Sequence, residues 1–177
     1  SFLSNDNQYS REKLQGDIEN IESYYLDRGY LQFSIESSQV SISRNRENIY
    51  ITYILSEGPH YKINNVRVIG DLPLDQNIID PIISTQKDVI YSQAQITQIE
   101  EIFTSLLGND GYAFATVSGQ PSIDEITNEV DLSFVVDPGK RTYARKILFE
   151  GNEITQDDVL RREMRQFEGA WASDDKI

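Results

Sequence analysis

Few residues in this chain could carry chemistry. His60 is the only histidine, and there is no cysteine. A general base or a metal ligand works through convergent partners. His60 lies in Glu57-Gly58-Pro59-His60, a turn-like linker with no evident partner, so a solvated role is expected. Adjacent acids occur at Glu100-Glu101, Asp157-Asp158 and Asp174-Asp175. Successive residues on a helix point in different directions, so these pairs read as exposed faces rather than as acid–base couples. No phosphate-binding glycine loop, dinucleotide fingerprint or nucleophile elbow occurs. The expectation is a protein without catalytic residues, metal or cofactor.

One cluster stands apart. The chain holds 16 basic against 29 acidic residues, a net charge of −13. Such a surface repels phosphate backbones, so nucleic acid is not an expected partner. Within it, Arg161, Arg162 and Arg165 gather beside Glu168 and Trp171. Arg161 and Arg165 are four apart and would share a helix face. One reading is a charge-paired surface helix. The other is a docking patch of these arginines, Arg161, Arg162 and Arg165, for an acidic partner, where guanidinium forks bind carboxylates. Trp171 would be an aromatic anchor of that patch or a core residue.

The elements that must position these residues come from an internal repeat. Gly29 and Gly111 are 82 apart, each in Gly-Tyr. Gly58 and Gly139, and Gly70 and Gly151, are each 81 apart. Ile49, Ile51, Tyr53 and Leu55 map by 81 onto Val130, Leu132, Phe134 and Val136, and both sets alternate as half-buried strands do. The period exceeds that of a solenoid unit, so each repeat is a small domain.

The middle unit reads β-α-α-β-β. Its opening strand is expected at 61–69, a short helix at 75–83 and a second helix at 92–107. A hairpin of strands 112–122 and 130–136 should close it. Ile96, Ile99, Phe103, Leu106 and Leu107 form the stripe of the second helix. The unit before it supplies only a helix at 11–27 and a hairpin of 31–42 and 49–55. The unit after it supplies an opening strand at 143–149, a turn at Gly151-Asn152 and a helix at 156–166, with Thr155 and Asp158 resembling a capping box. The expected divisions are therefore 1–59, 60–139 and 140–177, with both outer units incomplete. The chain reads as part of a longer protein.

Three stretches carry a resemblance: Ser23-Tyr-Tyr-Leu-Asp-Arg-Gly-Tyr30, Ile147-Leu-Phe-Glu-Gly-Asn152, and Val159 to Trp171 with Leu-Arg-Arg-Glu-Met-Arg-Gln inside it. They resemble the outer-membrane protein assembly factors of Gram-negative bacteria, which carry five periplasmic POTRA domains ahead of a membrane β-barrel. The resemblance implies an α+β fold of tandem POTRA modules, each a three-stranded mixed sheet covered on one face by two helices. The three divisions would be the end of the third copy, the whole fourth and the start of the fifth. Implied partners are unfolded outer-membrane proteins and accessory lipoproteins, BamD-like and BamB-like, on the periplasmic side of the outer membrane. The Arg161, Arg165 and Glu168 surface would engage the BamD-like lipoprotein. A related transporter of the TamA or two-partner secretion type, binding its own protein substrate, is the alternative.

A three-stranded sheet must leave two edges, and an edge strand offers unpaired backbone groups to an extended segment. The first strands of the two hairpins, 31–42 and 112–122, are the candidate receptor edges. Leu31, Phe33, Ile35 and Val40 are the apolar residues of the first.

Overall fold

The structure is a computed structural model that describes residues 3–44, 48–151 and 154–176. Its elements run α1 (Leu3–Leu26), β1 (Ser34–Ile42), β2 (Ile49–Ser56), β3 (Lys62–Gly70), α2 (Gln76–Ser84), α3 (Gln93–Asn109), β4 (Thr116–Asp124), β5 (Glu129–Asp137) and α4 (Asp157–Glu163). A single 3-10 turn follows at Asp174–Lys176.

Strands β1 and β2 pair antiparallel, and a second sheet has the order β3-β5-β4. Contacts from β3 to β5 climb together along both strands. The Lys62 N–H donates to the Asn128 carbonyl, Asn64 donates to Asp131, and Arg67 donates to Ser133 Oγ. β3 is thus parallel to β5, while β4 and β5 form an antiparallel hairpin, which makes the sheet mixed. The hairpin turn is built on Asp124, whose carboxylate accepts the Ile126 and Thr127 N–H groups at 2.9 and 3.3 Å. Those two bonds hold the Asp124 carboxyl below its ordinary pKa.

Helix α2 starts at Asp75, whose carboxylate accepts the Asn77 N–H at 2.9 Å. It tolerates Pro81 within it. Helix α3 starts at Ser92, whose hydroxyl accepts the Gln95 N–H. Its stripe falls as the spacing requires: Ile96, Ile99, Phe103 and Leu107 are buried.

Two compact units make up the chain. One comprises Ser1–Asn65, Asp88–Gln95 and Ile123–Asp131, the other Val66–Lys87, Ile96–Ser122 and Leu132–Ile177. In the first, Tyr61, Ile63 and Val130 are fully buried, and Tyr91 almost so. Residues 88–91 return alongside 61–63: Ile63 and Val89, Asp88 and Ile63, and Tyr91 and Tyr61 are joined by backbone bonds. In the second unit, Ile96, Phe103, Leu107, Leu132 and Phe134 have no exposure. Phe103 and Phe134 meet edge to face at 5.9 Å. Leu107, Ala115 and Val136 extend this core, with Val68, Leu72 and Tyr112 packed against them.

Several expected boundaries move. Helix α1 begins earlier than residue 11. The strand expected at 112–122 starts at Thr116, because Gly111 to Ala115 form a turn closed by the Ala115 N–H on the Tyr112 carbonyl. The strand expected at 143–149 is not formed as a ladder. Only Tyr143 bridges, to Trp171. Helix α4 is shorter than 156–166; its N-cap is Gln156, without a side-chain capping bond, not Thr155. Asn152, expected in a turn, lies outside the described residues.

Phe103 has no exposure and packs edge to face on Phe134, so its removal leaves a cavity in the core. Phe103→Ala is expected to cost about 3–5 kcal/mol of unfolding free energy, measured by urea denaturation. Phe114→Ala, at a side chain 77% exposed, should change it by less than about 0.5 kcal/mol.

Candidate polypeptide-docking site

Helix α4 carries Asp157 and Asp158 in its first turn and Arg161 and Arg162 in its last. Each sign suits the helix end it occupies. The spacing of four also pairs them, Arg161 with Asp157 at 3.5 Å and Arg162 with Asp158 at 3.3 Å. At Met164 the backbone turns extended, with ψ of 135°, and the helix stops. Arg165 therefore leaves the helix, and it shares no helical face with Arg161. That corrects the expected cluster.

What the fold brings together instead is Arg161, Glu168 and the backbone of Ile147. Arg161 Nη1 lies 2.9 Å from Glu168 Oε1, and its Nη2 donates to the Ile147 carbonyl at 2.9 Å. The Ile147 N–H donates back to Glu168 at 3.0 Å. One residue's N–H and C=O are thus both held by an ion pair. The Ile147 N–H, then the Arg161 guanidinium, hold the Glu168 carboxyl below its ordinary pKa. Glu168 in turn raises that of Arg161. Both side chains keep about two fifths of their surface in solvent, so the pair is screened and acts mainly by positioning.

Around this brace is a cleft of about 180 Å³. Ile147, Phe149, Met164 and Phe167 supply its apolar walls, with Arg161 and Glu168 at the charged side. The Arg161 guanidinium stands 5.5 Å from the Phe149 ring centroid. Phe167 and Leu148 are largely exposed. The loop 164–173 is held from beneath by Gln166, buried to 4% exposure. Its amide donates to the Phe167 and Trp171 carbonyls and accepts the Ser173 N–H, each at 3.1 Å. Nothing in the residue pattern marks Gln166, which reads as the last residue of a surface helix, where a glutamine is normally solvated. Trp171 is neither a free anchor nor a core residue. It lies under the Arg141 guanidinium, 4.5 Å from ring centroid to Cζ.

The second candidate is the edge of β1. Leu31 and Phe33 lie before the strand, in the turn after α1. Phe33 stacks on Tyr25 at 4.1 Å, so neither residue is part of the edge. Ile35 and Val40 are in β1. Their odd spacing would put them on opposite faces of a regular strand. A bulge prevents this: Ile35 pairs with Leu55 but Ser37 pairs with Ile54, leaving Glu36 as the extra residue. Ile35, Val40 and Ile42 thereby join Leu55, Ile51 and Ile49 on one face. Among the described residues, the outer edges of β1 and β4 pair with no strand.

Three acids of these pairs are engaged structurally. Glu100 accepts the Gly119 N–H at 2.6 Å, and Asp157 and Asp158 face their arginines. His60 is exposed and tilted against Tyr30. Among the described residues, no group of three or more His, Asp or Glu is placed to hold a metal ion. No helix there is long and apolar enough to cross a membrane.

The fold and these sites define a tandem array of small α+β modules with open strand edges and a charged cleft. The POTRA model, described as surface antigen variable number repeat, matches residues 3–58 and 61–139. The chain belongs to the POTRA family. It is 36% identical over 163 residues to the outer membrane protein assembly factor BamA of Buchnera aphidicola, covering 92% of this chain and 26% of that protein. Over 171 residues it is 27% identical to BamA of Neisseria meningitidis, covering 96% and 22%. A crystal structure of Haemophilus influenzae BamA POTRA3-5 superposes with a TM-score of 0.72 at 31% identity, covering 90% of this chain and 63% of that one. BamA of Haemophilus ducreyi lacking POTRA domains 1-3 gives 0.56 at 41% identity, covering 64% and 21%. The chain spans about a quarter of the length of these curated relatives.

The brace carries a pH signature. Glu168 has a lowered pKa in the folded chain, so its contribution is complete above the ordinary glutamate value of about 4.3. It is lost as pH falls through the lower folded value. The Ile147 amide resonance should therefore shift with a midpoint below about 4.3, read by NMR titration, and that transition should vanish in Glu168→Gln.

Proposed function

We propose that this chain is part of the periplasmic arm of an outer-membrane protein assembly factor. Its three divisions, 1–59, 60–139 and 140–177, correspond to the end of a third POTRA module, a whole fourth and the start of a fifth. The modules act on the periplasmic side of the outer membrane, in a longer protein whose β-barrel lies in that membrane. They work by binding polypeptides, not by catalysis. The similarity to assembly factors over nearly the whole chain favours this reading over a secretion transporter.

The observation that carries it is the cleft at Arg161, Glu168 and Ile147. An ion pair fixes the backbone beside exposed Phe167 and Leu148, giving apolar contact area with a charged rim. Interfaces with anchors of this kind bind proteins. The ligand assigned to it is a BamD-like accessory lipoprotein, with Arg161 and Glu168 holding the surface and Arg165 on its solvent side. A BamB-like lipoprotein would dock elsewhere on the modules. Glu168→Lys places a cation against Arg161 and releases the Ile147 N–H. It should weaken binding of the BamD-like lipoprotein about tenfold or more, measured by calorimetry, while circular dichroism stays unchanged. Full affinity in the folded variant would remove the cleft as the docking surface.

Unfolded outer-membrane proteins are assigned to the strand edges, where backbone bonds give affinity with little demand on sequence. Ile35 and Val40 on β1 supply side-chain contacts; Leu31 and Phe33 support the strand from its base. The Ser43 N–H donates to the Asn48 carbonyl at the hairpin end. Antiparallel pairs alternate from there, so the N–H groups of Ser38 and Val40 face the open edge and that of Gln39 faces β2. Ser38→Pro should cut crosslinking to a precursor peptide and leave the fold intact, whereas Gln39→Pro should loosen the hairpin itself. Unchanged crosslinking in a folded Ser38→Pro chain would exclude this edge as the receptor.

A further inference from the structure

Two places in the chain, 81 to 82 residues apart, carry the same set of bonds. At the first, the Gly29 carbonyl accepts the Tyr61 N–H at 2.8 Å, and the Tyr61 carbonyl accepts the Tyr91 N–H at 3.2 Å. The Asp27 carboxylate accepts the Ala94 N–H at 2.8 Å. At the second, the Gly111 carbonyl accepts the Thr142 N–H at 2.7 Å, and the Thr142 carbonyl accepts the Ala172 N–H at 2.8 Å. The Asn109 side-chain oxygen accepts the Asp175 N–H at 3.0 Å.

Each bond of the first set maps onto its counterpart by the repeat. Even the side chains over the glycines correspond: His60 and Ile90 at Gly29, Arg141 and Trp171 at Gly111. A long linker would not reproduce side-chain and backbone contacts at one period. The joint is therefore encoded in the repeat, like the strands.

The third bond of each set has a definite chemistry. Ala94 is the second residue of α3, where the helix has no internal acceptor for its N–H. Ser92, three residues earlier, serves the Gln95 N–H. Asp27, 67 residues earlier, serves the Ala94 N–H, and its negative charge suits a helix start. The Asp175 N–H has the same place in the turn Asp174–Lys176, which follows Ser173 as α3 follows Ser92.

We infer that each module caps the second helix of the module after it, through Asp27 at the first boundary and Asn109 at the second. The boundary is then a joint of defined geometry, and the start of a module's long helix depends on the module before it. The short Gly-Pro linkers only close the chain; the cap and the glycine carbonyl set the geometry.

The chain has no cysteine, so spin labels can be placed singly. Labels at Glu22 and Ile126, both exposed, report on the first joint in the whole 177-residue chain. Asp27→Ala should broaden their distance distribution and speed hydrogen exchange at the Ala94 amide about five- to tenfold, as loss of a helix cap does. Asp27→Asn, which installs the residue found at the second joint, should leave both as in the parent. If Asp27→Ala does not fold, Asp27→Asn decides: parental exchange at Ala94 supports the cap, and a tenfold rise overturns it. An unchanged distance distribution and unchanged Ala94 exchange in folded Asp27→Ala also overturn it.

Discussion

The backbone at Gly29 and Gly111 adopts φ of 87° and 94°, left-handed values that end a right-handed helix and turn its last carbonyl outward. Those carbonyls receive the N–H of Tyr61 and Thr142, the first bonds of the segments that follow. A side chain cannot be added at either place. A Cβ on Gly29 would lie 2.9 Å from the Tyr61 carbonyl oxygen, and one on Gly111 would lie 2.8 Å from Trp171 Cβ. Helix end, linker and the start of the next segment are thus fixed by one residue type with one conformation. Tyr61, fully buried, and Trp171, packed under Arg141, are both placed by it.

At the second boundary, side chains add to this frame. Arg141 donates to the Asp110 carbonyl from Nε at 2.8 Å and pairs with its carboxylate from Nη2 at 2.7 Å. Its guanidinium also lies over Tyr112 and Trp171. The residue in its place at the first boundary is His60, which meets the Tyr30 ring. An arginine presents five N–H donors on a planar group that also stacks on rings, whereas an imidazole has only two ring nitrogens. The segment that carries Trp171 also carries Glu168 and Gln166, so the cleft beside Ile147 is built on the same strapped loop.

The same apolar strand pattern has two outcomes here. Val130, Leu132 and Val136 on β5 are buried, whereas Ile49, Ile51 and Leu55 on β2 are between 38% and 65% exposed. The residue types are equivalent; what differs is cover. β5 is the central strand of its sheet, while β2 has one neighbour. Burial follows from the surfaces brought against a strand, not from its own composition.

Much of this was legible in the residues. The repeat of glycines, the alternation of β2 and β5 and the helical stripe of α3 each rest on local periodicity, which chain geometry imposes wherever the segment lies. The order of elements followed from these; the family came from the resemblance of the stretches 23–30, 147–152 and 159–171. The partners of individual groups did not. Arg161 and Arg165 look equivalent at a spacing of four, yet the helix stops between them and only Arg161 meets Glu168. Ile35 and Val40 look opposed at a spacing of five, yet the Glu36 bulge aligns them. Asp27 reads as one more surface acid in an acidic chain, and Gln166 as the last residue of a surface helix. Which N–H each of them holds is a contact across 67 residues for Asp27, and a loop closed upon itself for Gln166. Such contacts depend on where distant backbone comes to rest, and that is decided only when the chain has folded.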